Sequence, residues 1–141
     1  MSNFSGKVVL IVNVASQDAS AVEQYGGLRF LHQKFGSEGL EILAVPSNTF
    51  GQEPGVAIFN FTQEVGARFR TFLKVDVNGE NEDELFKFLK KSTKSKNPPL
   101  TGNGIKDNFE KFLVDRQGKP VERFLAREPA ARFQGKIQAL I

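Results

Sequence analysis

The sequence predicts one α/β domain over residues 1–141, a central mixed sheet flanked by helices. Three observations predict it. Residues 7–45 read as strand, amphipathic helix, strand, which is the pattern of a βαβ unit with parallel strands. Residues 111–124 read as two short strands around a tight turn, and a helical segment closes the chain. No repeat, low-complexity tract or linker divides the sequence, and 141 residues suffice for one proper core.

Val8-Val9-Leu10-Ile11-Val12 is a continuous β-branched and apolar run, as expected of a strand covered on both faces. Ser20 and Glu23 have capping-box spacing, so a helix is expected to begin near Ala21. Val22, Tyr25, Leu28, Leu31 and Phe35 would form its buried stripe, and Gly36 and Gly39 would end it. Leu40 to Val45 is a second buried strand, and a turn-rich loop runs from Pro46 to Gly55. A short helix is expected over Val56–Ala67 and a strand over Thr71–Val77. Asn81 to Lys91 reads as a helix with Glu82, Asp83 and Glu84 first and Lys87, Lys90 and Lys91 last, the charge order that suits the helix dipole. Lys94 to Gly104 is polar loop. Lys111–Asp115 and Pro120–Phe124 form the hairpin around Arg116-Gln117-Gly118-Lys119, and Ala130–Ile141 is the closing helix. This order of elements is the thioredoxin-like plan.

Composition narrows the chemistry. The chain has no cysteine, from which disulfides, thiolate metal sites and every thiol-based catalytic scheme are expected to be excluded; Met1 carries the only sulfur. A net charge of +3 is too small to argue for nucleic acid without a motif, so none is expected as a partner. The longest apolar run, Val8–Val12, is far short of a membrane span. Only six residues precede Lys7, which leaves no room for a targeting peptide in this numbering, and an intracellular location is expected.

Several stretches resemble the glutathione peroxidase family, in the same order. Lys7-Val-Val-Leu-Ile-Val-Asn-Val-Ala-Ser16 resembles the strand that leads into that family's active site. Leu40 to Gly55, with Ala-Val-Pro-Ser-Asn-Thr-Phe-Gly-Gln-Glu-Pro-Gly, resembles its second signature. Lys74-Val-Asp-Val-Asn-Gly79, Phe86-Lys-Phe-Leu-Lys90 and Ile105–Phe124 match further segments, so the resemblance spans about residues 5–125. It implies a thioredoxin-like fold. Family members usually carry an N-terminal hairpin before the first of these strands, and that hairpin is expected to be missing here.

The family holds its peroxidatic cysteine or selenocysteine at the start of the first helix, beside a Gln, a Trp and an Asn. Carried over by position, the nucleophile falls on Asp18, the Gln on Gln52, the Trp on Asp107 and the Asn on Asn108. The loop that carries Gln52 is one residue shorter than the usual Phe-Gly-x-Gln-Glu. The resolving cysteine of cysteine-type members falls near Thr62, and the cysteine of the second signature is Ser47. A carboxylate has no reversible oxidation ladder with peroxide. The resulting expectation is a catalytically inactive pseudoenzyme without cofactor or metal, serving as an interaction subunit with protein partners in a larger assembly. Three alternatives stand beside it. Asp18 and Asp107 could form a carboxylate pocket for other chemistry; with Asn108 and Gln52 they could hold a hard cation; or the chain could bind the family's redox partners without turning them over.

Other features have plainer expectations. Lys87, Lys90, Lys91, Lys94 and Lys96 read as a solvated helix face rather than a binding patch. His32 stands alone and reads as surface or half-buried packing. Fourteen phenylalanines, Phe30, Phe59, Phe61, Phe69, Phe72, Phe109, Phe112, Phe124 and Phe133 among them, are mostly expected in the core. Phe86 and Phe88, two apart on one helix, cannot both face inward.

Overall fold

The apolar run near the N-terminus continues through Asn13 to form β1 (Val8–Val14), and all seven of its residues are buried. A computed structural model describes residues 4–15, 18–47, 55–66, 69–72, 75–93, 104–105, 107–128 and 130–141 of the chain. After β1 come α1 (Ala21–Phe35), β2 (Leu40–Pro46), α2 (Gly55–Glu64), β3 (Arg70–Thr71) and α3 (Glu84–Ser92). The hairpin β4 (Lys111–Val114) and β5 (Pro120–Phe124) and the closing α4 (Ala130–Leu140) complete the order. The sheet runs β3-β2-β1-β4-β5, with β1 parallel to β2 and antiparallel to β4. It is the mixed sheet that the sequence predicts.

Strand alternation divides the core in two. Val8, Leu10, Val12 and Val14 pack with Tyr25, Leu28 and Leu31 of α1 and with Phe133 and Ile137 of α4. Val9 and Ile11 face the other way, against Phe86 and Leu89 of α3 and Phe112 of β4. Phe86 is therefore buried while Phe88 stands outside, as two positions on one helix require.

Several expectations are corrected. Ala21, not Val22, leads the buried stripe of α1, and Val22 is 69% exposed. The capping box does not form, because the Ser20 hydroxyl is turned back to Asp18 instead of capping the helix. Among the described residues, the strand expected over Thr71–Val77 is represented by the two exposed residues of β3, which begins at Arg70, and by isolated bridges from Val75 to Ser47 and from Asp76 to Glu82. The third helix starts at Glu84, three residues later than expected, with the Asp83 carboxylate accepting from the Leu85 N–H at 3.1 Å. Phe30 and Phe72 are exposed rather than core. Lys90 is not on a solvated face: it is buried, donating to Val77 O, Asn78 Oδ1 and Glu82. Lys94, Lys96 and the Phe59 side chain lie outside the described residues.

The hairpin end brings a pair that the sequence did not announce. Arg123 and Glu110 are both essentially inaccessible and joined at 2.8 Å, with Gly104 O taking a further guanidinium N–H at 3.0 Å. Arg116 ties the termini of several elements together through Gly6 O and Glu38 O. Gly39 stands beside it at φ +111, where an added Cβ would lie 2.9 Å from the Arg116 guanidinium. Its φ is what calls for glycine there, and a side chain would also press on the Arg116 guanidinium.

Candidate functional site

The parallel β1 delivers the chain to the turn before α1, and Asp18 lies in that turn. Its carboxylate is held at both oxygens. Oδ1 accepts from the Ser20 backbone N–H at 2.8 Å and from the Ser20 hydroxyl at 2.6 Å. Oδ2 accepts from the Asn108 side-chain amide at 3.0 Å, across 90 positions of sequence. The Ser20 hydroxyl, followed by the Asn108 amide, holds the Asp18 carboxyl below its ordinary range, with partial burial working against them. Asp18 is thus an ionised acceptor at neutral pH, able to take a hydrogen bond from an S–H or O–H group but a weak base.

Asn108 sits in the turn that precedes β4. The turn is anchored to Asn13, near the end of β1: the Asn13 side-chain amide donates to Asp107 O at 3.0 Å, and the Phe109 N–H donates to Asn13 O at 2.6 Å. Phe109 has φ +66, an unusual conformation for a residue with a bulky side chain. The Asn108 side-chain oxygen is buried and finds no hydrogen-bond partner among the described residues.

Of the four site positions read from the sequence, the structure joins Asp18 and Asn108. Asp107 is exposed, and its carboxylate accepts from the Asn108 backbone N–H at 2.8 Å. The expected Asp18/Asp107 carboxylate pocket is corrected accordingly: an amide, not a second acid, meets Asp18. Gln52 lies outside the described residues. Thr62 is buried in α2 and Ser47 at the end of β2. Among the described residues no group of three or more His, Asp or Glu side chains is placed to hold a metal ion. Nor is any described helix long and apolar enough to cross a membrane.

A groove of about 560 Å³ opens beside this pair. Their neighbours Ser20 and Asp107 line it with Gln24, Leu28, Lys111 and Phe133, while Asp18 and Asn108 themselves do not. Lys111 is the functional-looking residue that sequence reasoning passed over. Its amine donates to Gln24 Oε1 and to Phe109 O, both at 2.8 Å, and lies 5.2 Å from the Phe133 ring centre. Burial pushes it down from 10.5 to about 8, against the pull of Glu128 and Glu110. A lysine at a strand end carries no such signal in sequence. Asn13 does: it is a polar residue inside an otherwise apolar buried strand.

The family model for glutathione peroxidase matches residues 1–90 of the chain. The hydroperoxy fatty acid reductase gpx1 of Synechocystis is 48% identical over 130 residues, covering 88% of this chain and 76% of that protein. A probable phospholipid hydroperoxide glutathione peroxidase of Mesembryanthemum crystallinum is 46% identical over 145 residues, covering all of this chain and 83% of the relative. The crystal structure of T. cruzi GPX1 superposes with a TM-score of 0.78 at 32% identity, covering 99% of this chain and 85% of that one. The thioredoxin-like fold is as expected. The expectation of a catalytically inactive pseudoenzyme, kept as an interaction subunit, is overturned. Relatives this similar, over this much of the chain, are named for hydroperoxide reduction, which points to an enzyme. The expectation that the lack of cysteine removes peroxidase activity falls with it.

Proposed function

Because the chain belongs to the glutathione peroxidase family, we propose that it reduces hydroperoxides at the Asp18–Asn108 site, with the attacking sulfur supplied by a small thiol co-substrate. The observation that carries this reading is the 46% identity, over the whole chain, to a relative named for phospholipid hydroperoxides. The absence of cysteine supports an external source for the sulfur. Lipid hydroperoxides are the substrate class that the relatives' names suggest.

The reaction balances with two thiols. The thiol sulfur attacks the terminal peroxide oxygen, the O–O bond breaks, and the S–H proton passes to the departing alkoxide to give the alcohol. Sulfur is oxidised to a sulfenic acid, which a second thiol converts to a disulfide with release of water. Asp18 accepts a hydrogen bond from the thiol and orients it toward the peroxide, Asn108 and Ser20 hold that carboxylate in place, and the adjoining groove takes the rest of the substrate. Binding two reactants in one geometry is the main contribution asked of such a site.

The test is loss of a fatty-acid hydroperoxide in the presence of reduced glutathione, with and without the purified protein. The expected result is a rate above that of the thiol alone, falling at least about tenfold in Asp18→Ala. A rate equal to the thiol alone overturns the proposal.

A further inference from the structure

Residues 107–110 present Asn108 to Asp18, yet the β1–β4 ladder stops short of them. Its last registered pair is Val12 with Lys111. Something else must fix the turn, and its backbone is not in a relaxed state, since Phe109 has φ +66.

We infer that Asn13 is the positioning residue of this site: it locks the turn so that the Asn108 amide reaches the Asp18 carboxylate. Asn13 makes three bonds to the turn. Its backbone N–H donates to Glu110 O at 3.4 Å, its backbone oxygen accepts from Phe109 N–H at 2.6 Å, and its side-chain amide donates to Asp107 O at 3.0 Å. The first two are open to any residue other than proline; the third needs a side-chain donor of this length. Asn13 is fully buried, so water does not compete for that bond.

The geometry also explains why the polar residue falls at this step of the strand. Alternation places Asn13 on the same face of β1 as Val9 and Ile11, the α3 side. Lys111, two before Leu113, projects to the opposite face, the α1 and α4 side, and its amine reaches Phe109 O at 2.8 Å. The turn is gripped from both sides of the sheet. Asn13 holds the peptides on either side of Asn108, through Asp107 O and Phe109 N–H, and Lys111 holds the next one, through Phe109 O. An aspartate at 13 would offer no donor and would set a carboxylate against the Asp107 carbonyl, and a serine would fall short of it.

The inference rests on the reading of Asp18 and Asn108 as the working pair, but its test does not require turnover. The Asp18 carboxyl is followed by NMR titration in the intact chain. Asn108→Ala removes the amide directly and is expected to raise the Asp18 titration toward the ordinary value of 3.8. Asn13→Ala keeps both backbone bonds and is expected to reproduce most of that rise. The double variant is expected to add little to either single one, as coupled sites do. Ile11→Val, a change of packing on the same face of β1, is expected to leave Asp18 unmoved. Asn13→Ser is the milder substitute should the alanine variant unfold, and the same rise is expected of it. The inference is overturned if Asp18 titrates as in the parent when Asn13 is changed while Asn108→Ala moves it, or if Ile11→Val moves it equally. Failure of the peroxidase assay with this titration pattern intact would remove the proposed reaction and leave the positioning role standing.

Discussion

At the scale of single residues, the surroundings of Asp18 hold an anion. Two donors from Ser20 and one from Asn108 meet its two oxygens. Asp18→Cys would set a thiol at the same turn, near the same amide. We expect this variant to consume about one equivalent of fatty-acid hydroperoxide without added thiol, since one sulfur takes one oxygen. Mass spectrometry should find one added oxygen at position 18, and an unmodified thiol after peroxide treatment would refute the expectation. Lys111 yields a pH prediction with a definite sign. Its folded value of about 8 lies below the ordinary 10.5, so the unfolded chain binds the extra proton between those limits. Stability should therefore rise as pH climbs from about 8 to about 10.5, and the rise attributable to this group should vanish in Lys111→Met. Denaturant titrations at a series of pH values check it; equal slopes in the two proteins would contradict it. Neither Lys111 nor Asn13 was read as functional from sequence. For Asn13 the signal existed, a polar side chain in a buried strand, but which backbone it served depended on a turn almost a hundred residues away.

At the scale of elements, periodicity was a sound guide to existence and a poorer one to ends. Alternation and the 3.6-residue repeat follow from backbone geometry, and so β1, α1, β2 and the hairpin are legible directly. The ends depend on individual hydrogen bonds. Asp83 begins α3 by accepting from Leu85 N–H, which leaves Glu82 outside the helix and free to approach Lys90. Asp83→Ala is expected to cost about 1 kcal/mol, the usual worth of such a cap, in equilibrium unfolding. The hairpin end makes a larger demand. Arg123 and Glu110 are buried together, with Arg123 also 5.1 Å from the Phe112 ring centre. Removing one partner strands a buried charge, so Glu110→Ala should cost about 3–5 kcal/mol. Replacing both with apolar residues, Arg123→Met with Glu110→Leu, should recover most of that loss. A double variant no more stable than Glu110→Ala would argue that the pair is net stabilising in its own right. Neither residue is distinguishable in sequence from an exposed strand charge, because their partnership is made across the hairpin rather than along it.

At the scale of the whole molecule, the sheet is strongest at its middle. β1 has strands on both sides and a packed layer on both faces, while β3 joins the edge through two exposed residues. Hydrogen exchange should therefore be slowest in Val9–Val12 and fastest at Arg70–Thr71, by several orders of magnitude. Comparable rates in the two strands would contradict this picture of the core. The molecule's architecture was determined by the sequence on its own terms: a βαβ unit, an inserted helical region and a hairpin with a closing helix, each written in the spacing of apolar residues. The absence of a resident thiol was likewise a matter of composition alone. Tertiary structure decided the rest: that Ala21 and not Val22 turns inward, that Lys90 and Lys111 are buried, and that Asn108 rather than Asp107 meets Asp18. The physical reason is the range of the forces involved. Local periodicity is imposed by a backbone that each segment carries with it, whereas the direction of one side chain in a turn is fixed by hydrogen bonds to residues brought near only when the sheet has closed.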